Sequence, residues 1–148
     1  MPLYPGGGGS GSISDQSITG RMVHLGASAV AVATLETTTS TSFTNLATSG
    51  PAVTLSPGVT QDHLLTWSSQ NYTDTGGAYA ITSVAIAGAA AAEEDATYNR
   101  NYNVTGAQGW SRTKLAAAQS SGATHTVKYR VSANTGTFQN REIIGIPV

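Results

Sequence analysis

The chain has 148 residues, the length of one domain, with 7 basic and 8 acidic residues and a net charge of −1. At 10% charged residues it lacks the basic stripe of a nucleic-acid binder and the polybasic segment of a membrane-surface protein. The absence of Cys excludes disulfides, thiolate zinc sites and Cys nucleophiles, and no run of 18 apolar residues offers a spanning helix.

Residues 1–28 read as an extended arm. Met1–Pro5 lacks the charged and apolar regions of a signal peptide. The glycines of Tyr4–Ser12 cost too much entropy to hold a fixed backbone alone. Ile13, Ile18 and Val23 stand five apart, which fits neither the helical nor the strand period. Such sparse apolar residues gain little in a lone chain and more where several copies wind together. Tyr4, Ile13, Ile18, Met22, Val23 and Leu25 are therefore the expected anchors to a partner or to sister arms.

From Ala29 the pattern is strand, turn, strand. Ala29–Glu36 sets Val30 and Val32 on one face, Thr37–Thr41 is a β-branched polar run, and Phe43–Leu46 is a short strand. Gly50-Pro51 and Pro57-Gly58 are turns bracketing Ala52–Ser56, where Val53 and Leu55 alternate. His63–Ser69 alternates His63, Leu65 and Trp67 against Leu64 and Thr66, which places Trp67 in the core. Tyr72–Gly77 is a loop, and Ala78–Gly88 a further strand. Ala87–Tyr98 reads as a loop with at most one helical turn, because Glu93, Glu94 and Asp95 at its late end oppose a helix dipole. Gly109–Ala117, Ala123–Ser132 and Thr137–Val148 complete the strands, the last two joined by a hairpin-type turn at Asn134–Gly136. Eight or nine short strands predict an all-β antiparallel sandwich of jelly-roll type over residues 29–148.

Chemical motifs are sparse. Gly6–Gly11 matches G-x-G-x-x-G in letters only, with no strand before it and no helix after it, so no cofactor site is expected. His24 lies in the arm, and His125 alternates with Val127, Tyr129 and Val131 and points inward. Asp62 and His63 are strand neighbours facing opposite sides, and no Ser-His-Asp set assembles. Glu93-Glu94-Asp95 has no metal-site spacing and reads as a solvated acidic loop. The carboxylates Asp62, Asp74, Glu93 and Asp95 form no evident glycosidase pair, and neither catalytic nor metal residues are expected. The polar aromatic stretch Tyr98–Asn103, with Trp110 opening the next strand, is the best candidate for contact with a glycan or partner, through Tyr98, Arg100, Tyr102 and Trp110. Lys128 and Arg130 share one strand face, with Arg141 expected beside them across the turn, forming a basic face that is either a solvated outer surface or an interface meeting an acidic loop of a neighbouring copy.

Two stretches carry a resemblance. Thr37–Ala47 with Gly50–Leu55, and Thr124–Arg130 with Gly136–Ile144, resemble the opening and closing strands of small β-sandwich structural proteins of tailed bacteriophages. Ile13–Thr19 is similar to segments of phage fibre stalks, where three chains intertwine. The resemblance spans about residues 30–148, the middle by pattern alone. It implies a non-enzymatic virion protein: a capsid decoration, head-fibre or small tail protein, assembled in the host bacterial cytoplasm. It further implies a homotrimer whose arm, residues 1–28, attaches to a major capsid or tail protein, with no nucleic-acid or membrane partner. The alternative is a tail-associated glycan-binding module for host recognition.

Overall fold

A computed structural model describes residues 27–100 and 108–148. The nine strands are β1 (Ser28–Val32), β2 (Glu36–Thr38), β3 (Ala52–Leu55), β4 (Gln61–Thr73), β5 (Ala80–Ala85), β6 (Thr97–Asn99), β7 (Gln108–Gln119), β8 (Ala123–Val131) and β9 (Gly136–Pro147). They form two antiparallel sheets. One has the order β1-β9-β4-β7, with β2 also paired to β9; the other has the order β3-β8-β5-β6.

The order follows from one nested set of pairs. β1 pairs with β9, β3 with β8, β4 with β7 and β5 with β6. The chain is thus one long antiparallel hairpin whose tip lies between β5 and β6. Rolling that hairpin sends successive pairs to alternate sheets, which is the jelly roll. The alternation seen in sequence sets the inward faces. Along β4, residues His63, Leu65, Trp67, Ser69, Asn71 and Thr73 are buried and the residues between them are half-buried. β8 does the same with Ala123, His125, Val127, Tyr129 and Val131. Val53, Leu55, Phe138 and Ile143 fill the space between. Each fully buried large apolar side chain contributes about 1.5–3 kcal/mol.

Two glycines set how closely the layers approach. A Cβ on Gly145 would lie 2.9 Å from Leu55 Cδ1 and 3.1 Å from Val53 Cγ2, so β9 meets β3 across the core only because that position is bare. A Cβ on Gly136 would lie 2.3 Å from Val131 Cγ1 and 3.0 Å from Phe138 Cε2.

Five expectations change. Asn134–Gly136 does not join a paired hairpin, since β8 and β9 belong to opposite sheets. Ala29–Glu36 is divided into β1 and the start of β2, and Phe43–Leu46 contributes one bridge, Thr44 to Tyr129. Tyr72 and Thr73 extend β4 rather than opening the loop. Tyr98 and Asn99 are not loop but part of β6, the short edge strand beside β5.

Candidate functional site

A shallow groove of about 600 Å³ crosses the outer face of the four-stranded sheet. Its floor is Ala85, Thr126, Lys128 and Arg130, because even-numbered β8 residues face outward when the odd ones fill the core. One wall is Thr41–Phe43, held against β8 by the backbone bonds Thr44 N to Tyr129 O (2.9 Å) and Tyr129 N to Thr44 O (3.0 Å). The other wall is Gly88–Ala91 and Glu93. Glu93–Asp95 forms a single 3-10 turn, and Ser83 Oγ donates to Ala92 O at 2.8 Å, pinning that wall over β5.

Arg130 ties the two walls together. Its Nη2 pairs with Glu93 Oε1, and its guanidinium sits 5.2 Å from the Phe43 ring centroid. The Tyr98 hydroxyl donates to Glu93 Oε2. The bonds from Arg130 and Tyr98 hold the Glu93 carboxyl below the usual range, and donating that bond to the carboxylate raises the Tyr98 phenol. Lys128 Nζ donates to Asn45 Oδ1 at 2.7 Å. The groove therefore presents fixed donors in its floor and one partnered carboxylate in its wall, a surface suited to hydrogen-bonding polar groups.

Of the expected contact residues, the structure brings Tyr98 and Arg100 together. They flank Tyr79, whose ring lies edge-on to Tyr98 at 6.1 Å and under the Arg100 guanidinium at 5.6 Å. Trp110 is half exposed on β7, in the other sheet, and lines no part of the groove. Tyr102 and the arm residues Tyr4, Ile13, Ile18, Met22, Val23 and Leu25 lie outside the described residues. The basic face is corrected twice. The acid that meets Arg130 is Glu93 of the same chain. Arg141 is not beside it: in phase with Ile143 on β9, it points into the core and is fully buried. There its Nη2 lies 3.0 Å from Glu36 Oε2 and donates to Thr34 O at 3.3 Å, with the guanidinium 5.4 Å from the Tyr129 ring. Burial opposes ionisation of Glu36, but bonds from Thr48 and the Arg141 charge outweigh it and lower its pKa.

The remaining carboxylates serve local structure. Asp62 Oδ1 accepts from Ala118 N at 2.8 Å, and Asp74 Oδ1 accepts from Thr135 N at 3.1 Å, which lowers the Asp74 pKa. Asp95 is not solvated as expected: it is buried and paired with Lys114 at 2.6 Å, and Arg112 donates to Ala96 O at 3.1 Å and Glu94 O at 2.5 Å. No metal-holding group of His, Asp and Glu occurs among the described residues.

Between the sheets, His63 Nδ1 and His125 Nε2 are hydrogen-bonded at 2.9 Å, both rings fully buried. The Ala87 N–H donates to His125 Nδ1 at 3.3 Å. Nδ1 therefore accepts, which assigns the His125 proton to Nε2 and makes His63 Nδ1 its acceptor. The proton left on His63 sits at Nε2, which has no partner. Burial, then the neighbouring His63, depresses the His125 pKa to about 4. Burial also lowers that of His63, against a smaller opposing pull from Asp62.

The outer face of the five-stranded sheet is uncharged over most of its area. Register aligns Leu115, Leu64 and Ile146 in one row across β7, β4 and β9, and Thr113, Thr66, Ile144 and Ala29 in the next. Glu142 follows in the third row, beside Ser68 and Ser111.

No protein-family model matches the chain, and no curated protein matches it. Among solved structures it is similar to one titled "Structure of infectious bursal disease virus Gx strain", at 6% identity and a TM-score of 0.44. The match covers 82% of this chain and 31% of that one, so this chain spans less than a third of its neighbour's length.

Proposed function

We propose that this chain is a non-enzymatic structural component of a virus particle, a jelly-roll module carried on an N-terminal arm. The observation that carries the reading is the outer face of the five-stranded sheet. Leu64, Leu115, Ile144 and Ile146 stand there among Ser and Thr hydroxyls, a flat surface suited to packing against other proteins. β1, into which the arm leads, is the edge strand of that same sheet. The sequence resemblance of residues 30–148 supports the finer assignment: a tailed-phage decoration or head-fibre protein, homotrimeric, attached through residues 1–28 to a major capsid or tail protein. The test is deletion of residues 1–28. The remaining domain is expected to keep its β-rich circular dichroism and to lose particle binding. A truncated chain that still decorates particles would remove the arm from the assignment. Light scattering of the full chain at three times 15.1 kDa, or at six times where two trimers pair, supports the trimer, and a mass of one or two chains refutes it.

A second reading, a tail-associated glycan-binding module, is favoured by Tyr98 of the edge strand β6 clustered with Tyr79 and Arg100 beside the groove. Aromatic faces next to fixed donors suit sugar rings. A glycan array blank for the folded full-length chain decides against it.

A further inference from the structure

The four sheet edges are unequal. Three are blunted by shortness: β1 has 5 residues, β3 has 4 and β6 has 3. The fourth, β7, has 12 residues, and among the described residues no strand covers its free side. Proteins manage such edges by shortening them, by placing proline or charge in them, by bulges and by turning charges inward. β7 has no proline, its bulge falls only at its end, between Ala116 and Gln119, and its two inward cations are already committed. Lys114 is held by Asp95, and Arg112 by the Ala96 and Glu94 carbonyls.

We propose that β7 is the contact through which a second copy of this chain pairs, edge to edge and antiparallel, about a two-fold axis perpendicular to the sheet. An edge of 12 residues is about 40 Å long and offers about six outward N–H and six outward C=O groups. That axis keeps outer faces with outer faces, so residues opposed across it have the same parity. The outward residues Gly109, Ser111, Thr113, Leu115 and Ala117 carry no charge, so this side of the seam brings no like charges together. On the inner side the cations of each copy arrive already held within that copy, Lys114 by the Asp95 carboxylate and Arg112 by the Glu94 and Ala96 carbonyls. Leu115 and Trp110, 51% and 45% exposed in the single chain, lie on the seam and supply its apolar area. Pairing about a two-fold uses each edge once and leaves none to propagate, which separates this contact from fibre formation. The rows of the outer face then run on from one copy into the next. This goes beyond the particle reading, because it needs neither the arm nor a particle.

The test uses the full-length chain, in which an introduced cysteine is the only one. Ser111→Cys, Thr113→Cys, Leu115→Cys and, as reference, Val59→Cys in an exposed loop are oxidised mildly at equal concentration. Antiparallel pairing opposes one β7 residue to itself or to a near neighbour, at a spacing a disulfide can close. At least one β7 position is expected to cross-link about tenfold faster than Val59→Cys, with the rate falling within two residues on either side. Rates at all three positions no greater than that of Val59→Cys overturn the proposal, and so do equal rates along β7. Any arm-driven association raises the local concentration of every variant alike. The comparison therefore reads the geometry of β7 whether or not the arm assembles the chain.

Discussion

The buried His63–His125 pair makes stability depend on pH in a range where most of the surface is indifferent. Both rings are neutral in the fold, and the chain of bonds from Ala87 through His125 to His63 needs them neutral. In the unfolded chain each titrates near 6.5. The folded His125 value of about 4 is below that, so between the two the unfolded state binds more protons and stability falls as pH falls. The contribution is complete above about pH 6.5 and is lost on the way down to about 4. At roughly 1.4 kcal/mol per unit, that gap is worth about 3 kcal/mol, a large share of the 5–15 kcal/mol that stabilises a typical domain. His63, shifted in the same direction, steepens the fall. Asp62 is the one charged group whose field opposes it. The assay is urea unfolding of the full chain and of His125→Gln at half-unit steps from pH 7.5 to 4. Glutamine keeps a donor and an acceptor but does not titrate. The wild type is expected to lose about 3 kcal/mol more than the variant across that range. Parallel curves for the two proteins would refute the reasoning.

Three other outcomes follow from packing. Arg141→Ala strands Glu36 in a nearly dry site and is expected to cost about 3–5 kcal/mol in chemical denaturation, with Arg141→Met combined with Glu36→Gln recovering much of it. Gly136→Ala forces a methyl to within 2.3 Å of Val131 Cγ1 and is expected to lower stability by about 1–3 kcal/mol, read as a drop in Tm. At a concentration low enough to keep the chain single, Trp110→Phe is expected to change stability by less than about 0.5 kcal/mol and to remove the red-shifted part of the tryptophan emission, leaving the blue emission of buried Trp67.

How much of this was legible in the sequence depended on how polar each inward face is. β3, β4 and β8 alternate strongly enough that Val53, Leu55, Leu65, Trp67 and His125 were placed correctly. β6 was missed because Thr97, Tyr98 and Asn99 turn a polar residue inward and an aromatic outward. The same polarity hid Arg141, whose period matches Ile143 but whose charge argues for the surface. Local pattern does not report which sheet a strand joins, so the turn at Asn134–Gly136 predicts β8 and β9 as neighbours where the fold puts them in opposite sheets. The groove was half visible. Lys128 and Arg130 on one face and the acids at 93–95 were noticed, but their meeting within one chain depends on the 3-10 turn folding back over β5. Phe43 and Tyr79 had no signal beyond being aromatic.

The nested pairing also imposes a timetable on synthesis. Ile81 finds Tyr98 after only 17 residues of chain, whereas Val30 waits for Ile143. At about 5–20 residues per second a ribosome holds β1 without a partner for several seconds or more. Because β9 is an inner strand of its sheet, β1 and β4 stay separated until its residues have left the exit tunnel. The five-stranded layer therefore closes late, and the high sequence separation of its contacts makes that closure slow. β1 spends that interval with its hydrogen-bonding edge open to other chains.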